Sequence, residues 1–126
     1  MSDKSLAARL QVKPGRRLRV VNAPAGYPDM IGALPTGARF VDAGEPADVV
    51  QAFFSSQSQL TAQLPATLAE SGTEVVLWIC YPRTEAKVSD LSRQAVHNAI
   101  RLNGWKPVAQ VNVDQTWSAI RARPGS

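Results

Sequence analysis

Two apolar runs constrain what this chain of 126 residues can fold into. One is Val49 to Phe54, within ADVVQAFFSS; the other is Val75 to Cys80, within TEVVLWICYP. Each is nearly continuous and bounded by polar or turn residues, with none of the alternation that marks a half-solvated strand. That pattern suits parallel strands buried on both faces. The second run is the stronger and belongs at the centre of a sheet.

The remaining segments fit around these two. Ser5 to Gln11 forms a short helix with Leu6 and Leu10 on one face, inside an N-terminal helical segment of residues 1–12. Pro14 and Gly15 turn the chain into RLRVVNAPAGY, read as a strand carrying Leu18, Val20 and Val21 that breaks into a turn at Asn22. Pro28 opens a short helix through Met30, Ile31 and Leu34, which Pro35 and Gly37 stop. ARFVDAG is a second strand with Asp42 at its end. Leu60, Leu64 and Leu68 mark a helix that Pro65 should kink or divide in two, with Gly72 as its stop. Ser89 caps a helix whose stripe is Leu91, Ala95, Ala99 and Leu102, closed by Gly104; His97 lies off that stripe and reads as an ordinary surface histidine. Residues 105–124 alternate, turn at Asp114 to Thr116 and return: a hairpin with one solvated face.

Composition narrows the function classes. A hydrophobic share of 44% and a charged share of 19% describe an ordinary globular chain, expected as a single α/β domain over residues 1–126. No run approaches the roughly 20 apolar residues of a membrane span, and MSDKSLAARL lacks an apolar signal core, so a cytoplasmic protein is the simplest reading. One cysteine, Cys80, rules out a disulfide framework or a thiolate metal cluster, and no metal site is expected. The net charge of +4 owes much to Lys13, Arg16, Arg17 and Arg19. With no aromatic or glycine interleaving, these read as a solvated rim and argue against nucleic acid as a partner.

Strands alternating with helices, then a hairpin, point to an open, mostly parallel sheet of about six strands with helices on both faces: a Rossmann-like fold. In this order of elements the chain resembles a reduced class I SAM-dependent methyltransferase core with one helix–strand unit missing. It is also similar to a small bacterial family known only as a domain of unknown function. That likeness rests on Lys13-Pro14-Gly15, Asn22-Ala23-Pro24 with Gly26-Tyr27, ADVVQAFFSS, Tyr81-Pro82-Arg83, Ser89-Asp90-Leu91, and Val113-Asp114 with Thr116-Trp117-Ser118. The resemblance implies a fold and a relationship, and no activity.

In such sheets ligands bind at the carboxyl ends of the strands. The turn there offers Asn22, Gly26 and Tyr27, but a single glycine and two prolines make a poor cradle for phosphate or SAM. Asp42, twenty residues after Asn22, has the spacing of an acid that accepts from ribose hydroxyls; a turn residue or cap would look the same. Ser55, Ser56, Tyr81, Arg83 and Lys87 follow the two buried strands and would suit a small anionic ligand, or form a plain polar rim. The serines have no histidine base nearby in sequence and no nucleophile elbow, which argues against hydrolase chemistry.

Three functions stay open. The leading one is a non-catalytic scaffold that has lost the cofactor turn and takes no cofactor. The second is a binder of a nucleotide or other small anionic or adenosine-containing ligand, or a minimal transferase, with SAM the cofactor to test. The third is an interaction module, a homodimer through the hairpin anchored by its tryptophans.

Overall fold

The two apolar runs become neighbouring strands at the middle of one six-stranded sheet. The computed structural model describes residues 6–42, 44–71, 74–83 and 91–125. In chain order the elements are α1 (Leu6–Arg9), β1 (Arg17–Val21), α2 (Tyr27–Ile31), β2 (Arg39–Phe40) and β3 (Val49–Phe53). They continue with α3 (Gln57–Ser71), β4 (Val76–Pro82), α4 (Arg93–Leu102), β5 (Trp105–Asn112) and β6 (Trp117–Pro124). The sheet order is β2-β1-β3-β4-β6-β5. Strands β2, β1, β3 and β4 are mutually parallel; β6 runs antiparallel to both β4 and β5.

Every residue of β3 and β4 is buried, as continuous apolar runs demand. The period of two sends alternate side chains to two separate cores. Val50, Ala52, Leu77, Ile79 and Ile120 pack under Leu60, Leu64 and Leu68 of α3 and Val96 and Ile100 of α4. Val49, Phe53, Trp78, Cys80 and Ala119 pack under Ala7 and Leu10 at the N-terminal helix and Tyr27 and Ile31 of α2. Trp78 fastens α1 to this second core, its indole N–H donating to Leu10 O at 2.9 Å.

Several local expectations are corrected. Pro65 neither divides α3 nor ends it: the helix is one element with Pro65 on its exposed side. There the ring meets solvent instead of the sheet, so the helix loses one hydrogen bond and no packing. Helix α2 ends at Ile31, before Leu34, because Gly32 takes a φ of +70° that reverses the chain. The cap of α4 is Ser92, whose Oγ accepts from Ala95 N at 3.1 Å; Ser89 and Gly72 lie outside the described residues. Its buried stripe is Val96 and Ile100, while Leu102 is 87% exposed. Arg121 and Arg123 sit on an inner strand, since β5 forms the edge.

Among the described residues, the link from β2 to β3 carries no helix. It crosses β1 on the α3/α4 face as a loop, and Arg19 of β1 donates to Glu45 O on it. The uncovered space is a hollow of about 560 Å³ between Arg19 and Val21 on the floor, the 44–46 loop, and Thr67, Glu70 and Ser71 of α3. The crossover fixes its position: where a helical layer would lie, a loop leaves a gap.

Candidate functional site

The carboxyl ends of β1, β3 and β4 converge, and the turn after β1 is built by two positive-φ residues. Asn22 has φ +58° and Gly26 has φ +78°. Asparagine tolerates the left-handed region better than other side-chain-bearing residues, which explains its place where the strand breaks. Its side-chain amide then reaches across to β3 and α3. Nδ2 donates to Phe53 O at 3.1 Å and to Gln63 Oε1 at 2.8 Å. Both protons of the amide are spent on the protein. Gly26 O in turn accepts from Met30 N at 3.1 Å, starting α2.

Tyr27 is a core residue, 4% exposed. Its hydroxyl donates to Gln51 Oε1, and burial raises its pKa well above the ordinary phenol value. Its ring is one link in an edge-to-face series running across the sheet. Phe40 and Tyr27 have centroids 6.2 Å apart, Tyr27 and Phe53 5.6 Å, and Phe53 and Trp117 5.0 Å. Such pairs each add about 0.5–1.5 kcal/mol beyond the area they bury. The same series fills the space beneath α2.

The serines after β3 serve α3. Ser56 Oγ accepts from Gln59 N at 3.1 Å, and Gln59 Oε1 accepts from Ser55 N at 2.7 Å and Ser55 Oγ at 3.1 Å. This is a near relative of the capping box, worth about 1 kcal/mol. Tyr81 is buried against Leu91 and Val96 in the α3/α4 core. Arg83 ties β4 to the hairpin turn: its backbone N–H donates to Thr116 O at 2.6 Å and Nη1 to Asp114 O at 3.1 Å. Lys87 lies outside the described residues.

Asp42 is placed differently. It follows β2 by two residues and is exposed; its backbone N–H donates to Glu45 Oε1 at 2.9 Å. Strand β2 is paired with β1 through Arg17↔Arg39 and Leu18↔Phe40, and Val41 N–H donates to Leu18 O at 3.0 Å just before Asp42.

The residues that sequence reasoning passed over are three glutamines. Gln51, Gln59 and Gln63 each supply the acceptor that absorbs a candidate ligand-binding donor. Gln51 carries the clearest signal, as the one polar side chain inside an apolar run; it is fully buried, with its Oε1 taken by Tyr27 and the Cys80 thiol as the polar group beside its side chain. Cys80, on the same face of the adjacent strand, is fully buried, and its thiol pKa is pushed far above the usual range by desolvation. It is therefore a small apolar side chain at neutral pH.

Among the described residues no three His, Cys, Asp or Glu side chains group as a metal site, and no helix is long and apolar enough to cross a membrane. No protein-family profile matches the chain, and no curated protein does. Solved structures do resemble it in fold. A SAM-dependent methyltransferase from Aquifex aeolicus aligns at TM-score 0.59 and 12% identity, over 93% of this chain and 86% of that one. The tRNA methyltransferase TrmK from B. subtilis aligns at 0.54 and 10%, over 100% and 68%. The magnesium protoporphyrin IX methyltransferase from Synechocystis with bound SAM aligns at 0.50 and 11%, over 95% and 74%. The chain is thus similar in architecture to Rossmann-like methyltransferases and has a reduced form of their fold.

Proposed function

We propose that this chain is a non-catalytic α/β scaffold of methyltransferase-like build, in which internal bonds occupy the position of a cofactor turn. The observation that carries this reading is the double donation from Asn22 Nδ2 to Phe53 O and Gln63 Oε1. A ligand entering at this turn would have to compete with a part-buried bond to Phe53 O and an exposed one to Gln63 Oε1, each worth about 0.5–1.5 kcal/mol net. Tyr27 under Phe53 and the Ser55–Ser56–Gln59 cap support the same reading.

The competing reading, a SAM-dependent transferase or a binder of a small anionic ligand, draws on the fold likeness and on Asp42, whose exposed side chain stands outside this internal network. The homodimer reading draws on β5, an edge strand with Val108 47% exposed. A thermal-shift series with SAM, S-adenosylhomocysteine, ATP and inorganic phosphate separates them. A ligand at about 100 times its dissociation constant adds about 2.7 kcal/mol of stability. The scaffold reading expects no shift with any of the four. A saturable shift with an adenosine ligand, lost in Asp42→Ala, would replace it with the transferase reading.

A further inference from the structure

The fold sorts the arginines near the start of β1 onto two faces. Arg17 is held by Asp48, with Nε to Oδ2 and Nη2 to Oδ1 both at 3.1 Å. Arg19 turns to the loop on the α3/α4 face. The remaining cations meet others brought from far along the chain. On β6, Arg121 shares the face of Trp117 and Ala119, which is the α1 face, and Arg123 follows two residues later on that side. Lys106 of β5 stands directly opposite Arg123, so it projects from the same side. Arg16 approaches Arg121 from the turn before β1. Beyond them a groove of about 680 Å³ runs between α1 and β5, lined by Arg9 and Lys13.

These six cations have no carboxylate within ion-pair distance among the described residues, where Arg17–Asp48 is the salt bridge. Asp48 also faces Arg16, but it is already held in a bidentate pair. Arg121 Nε is buried without a hydrogen-bond partner. The Arg121 guanidinium is held below its ordinary value first by desolvation and then by Arg123 and Arg16. Like charges gathered in this way repel, and a bound anion relieves them.

We propose that this face binds the phosphate backbone of a single-stranded nucleic acid. The cations are strung out instead of converging on one point: Lys106, Arg121 and Arg123 stand at one end of the hairpin, and Arg9, whose Nη1 donates to Asn112 O at 3.1 Å, stands about 20 Å along β5 at ~3.4 Å per residue, the form of a track for a linear polyanion. Gln11 lines the groove and adds a polar partner for sugars and bases, while Asn112 is engaged within the protein, its backbone O by Arg9 and its Oδ1 by Ser118. A lipid surface is disfavoured by the positions of the large exposed apolar residues. Phe40 lies at the opposite sheet edge, Leu102 on α4, and Val108 beside Arg93 and His97 of α4. The track would take its residues from α1, the turn before β1, and both hairpin strands, so no single run in the sequence marks it.

Fluorescence anisotropy with a labelled oligouridylate of about 12 nucleotides tests the proposal. Six phosphate contacts predict a log–log salt slope near −4, a roughly 300-fold loss of affinity between about 50 and 200 mM salt. Arg121→Gln with Arg123→Gln should flatten that slope by about 1.4. Arg93→Gln with Arg101→Gln, on α4, removes equal charge and should leave the slope unchanged. If the β6 variant fails to fold by circular dichroism, Arg9→Gln with Lys13→Gln decides, with the same flattening expected. No binding at about 50 mM salt would overturn the proposal. So would equal loss in the α4 variant, full competition by inorganic tripolyphosphate at matched phosphate, or binding to phosphatidylserine vesicles in place of the oligonucleotide.

Discussion

The amide of Asn22 joins the end of β1 to the last carbonyl of β3, donating to Phe53 O at 3.1 Å while its other proton goes to Gln63. One side chain thus closes the gap between two parallel strands at the point where a Rossmann-like fold usually admits its ligand. The left-handed backbone at Asn22 and the side-chain bridge are separate contributions, and substitutions separate them.

Asn22→Gly keeps the φ of +58° accessible and removes the bridge; Asn22→Ala removes the bridge and adds backbone strain. The glycine variant should lose about 0.5–1.5 kcal/mol in urea unfolding, from the part-buried bond to the Phe53 carbonyl. The alanine variant should lose about 1 kcal/mol more. Equal losses would assign the whole effect to the bridge, and no loss in either would dissolve it.

Tyr27 and Gln51 form a buried polar pair in an otherwise apolar core. Tyr27→Phe should destabilise by about 1–3 kcal/mol, because it leaves Gln51 Oε1 without its donor. Adding Gln51→Met should restore most of that, since both polar groups are then gone. A double variant as unstable as the sum of the two single ones would refute the pairing.

The Arg17–Asp48 pair predicts a weak acid dependence. The Asp48 carboxyl is held below its usual value by the hydrogen bonds from the Arg17 side chain and backbone. Its folded pKa is therefore lower than its unfolded one. The stability it contributes is present above about pH 4 and is lost as pH falls through the lowered folded value. Both side chains are more than a third exposed, so screening makes the effect small. Urea midpoints of the wild type and Asp48→Asn should differ at pH 7 and converge as the pH falls through the lowered folded value. A constant gap across that range would contradict the assignment.

Much of the architecture was legible because it rests on periodicity. The apolar runs of β3 and β4, the alternation in Trp105 to Pro124, and the acid-then-loop after β2 each carry a pattern that local physics produces. Pro65 misled because sequence alone does not say which side of α3 meets solvent; an exposed proline costs the helix one bond, whereas a buried one would also disturb packing. What the sequence did not show is what Asn22, Tyr27, Ser55 and Ser56 bond to within the protein: Gln63, Gln51 and Gln59. Two of these are tertiary neighbours, with Gln63 lying 41 residues from Asn22. Gln51 stands out as the one polar residue in an apolar run, but nothing in spacing marks Gln59 or Gln63.

The central claim is that the turn after β1 is closed by its own side chains. The most direct test is a two-dimensional ¹H–¹⁵N spectrum of the labelled protein titrated with S-adenosylhomocysteine, read at the Asn22 side-chain amide and the backbone amides of Ala23, Gly26 and Asp42. The account predicts an Asn22 side-chain amide unchanged through the titration and no saturable shift at any of these positions. A saturating shift at Asn22 and Asp42 together, with the Asn22 amide released from Phe53 and Gln63, would contradict it.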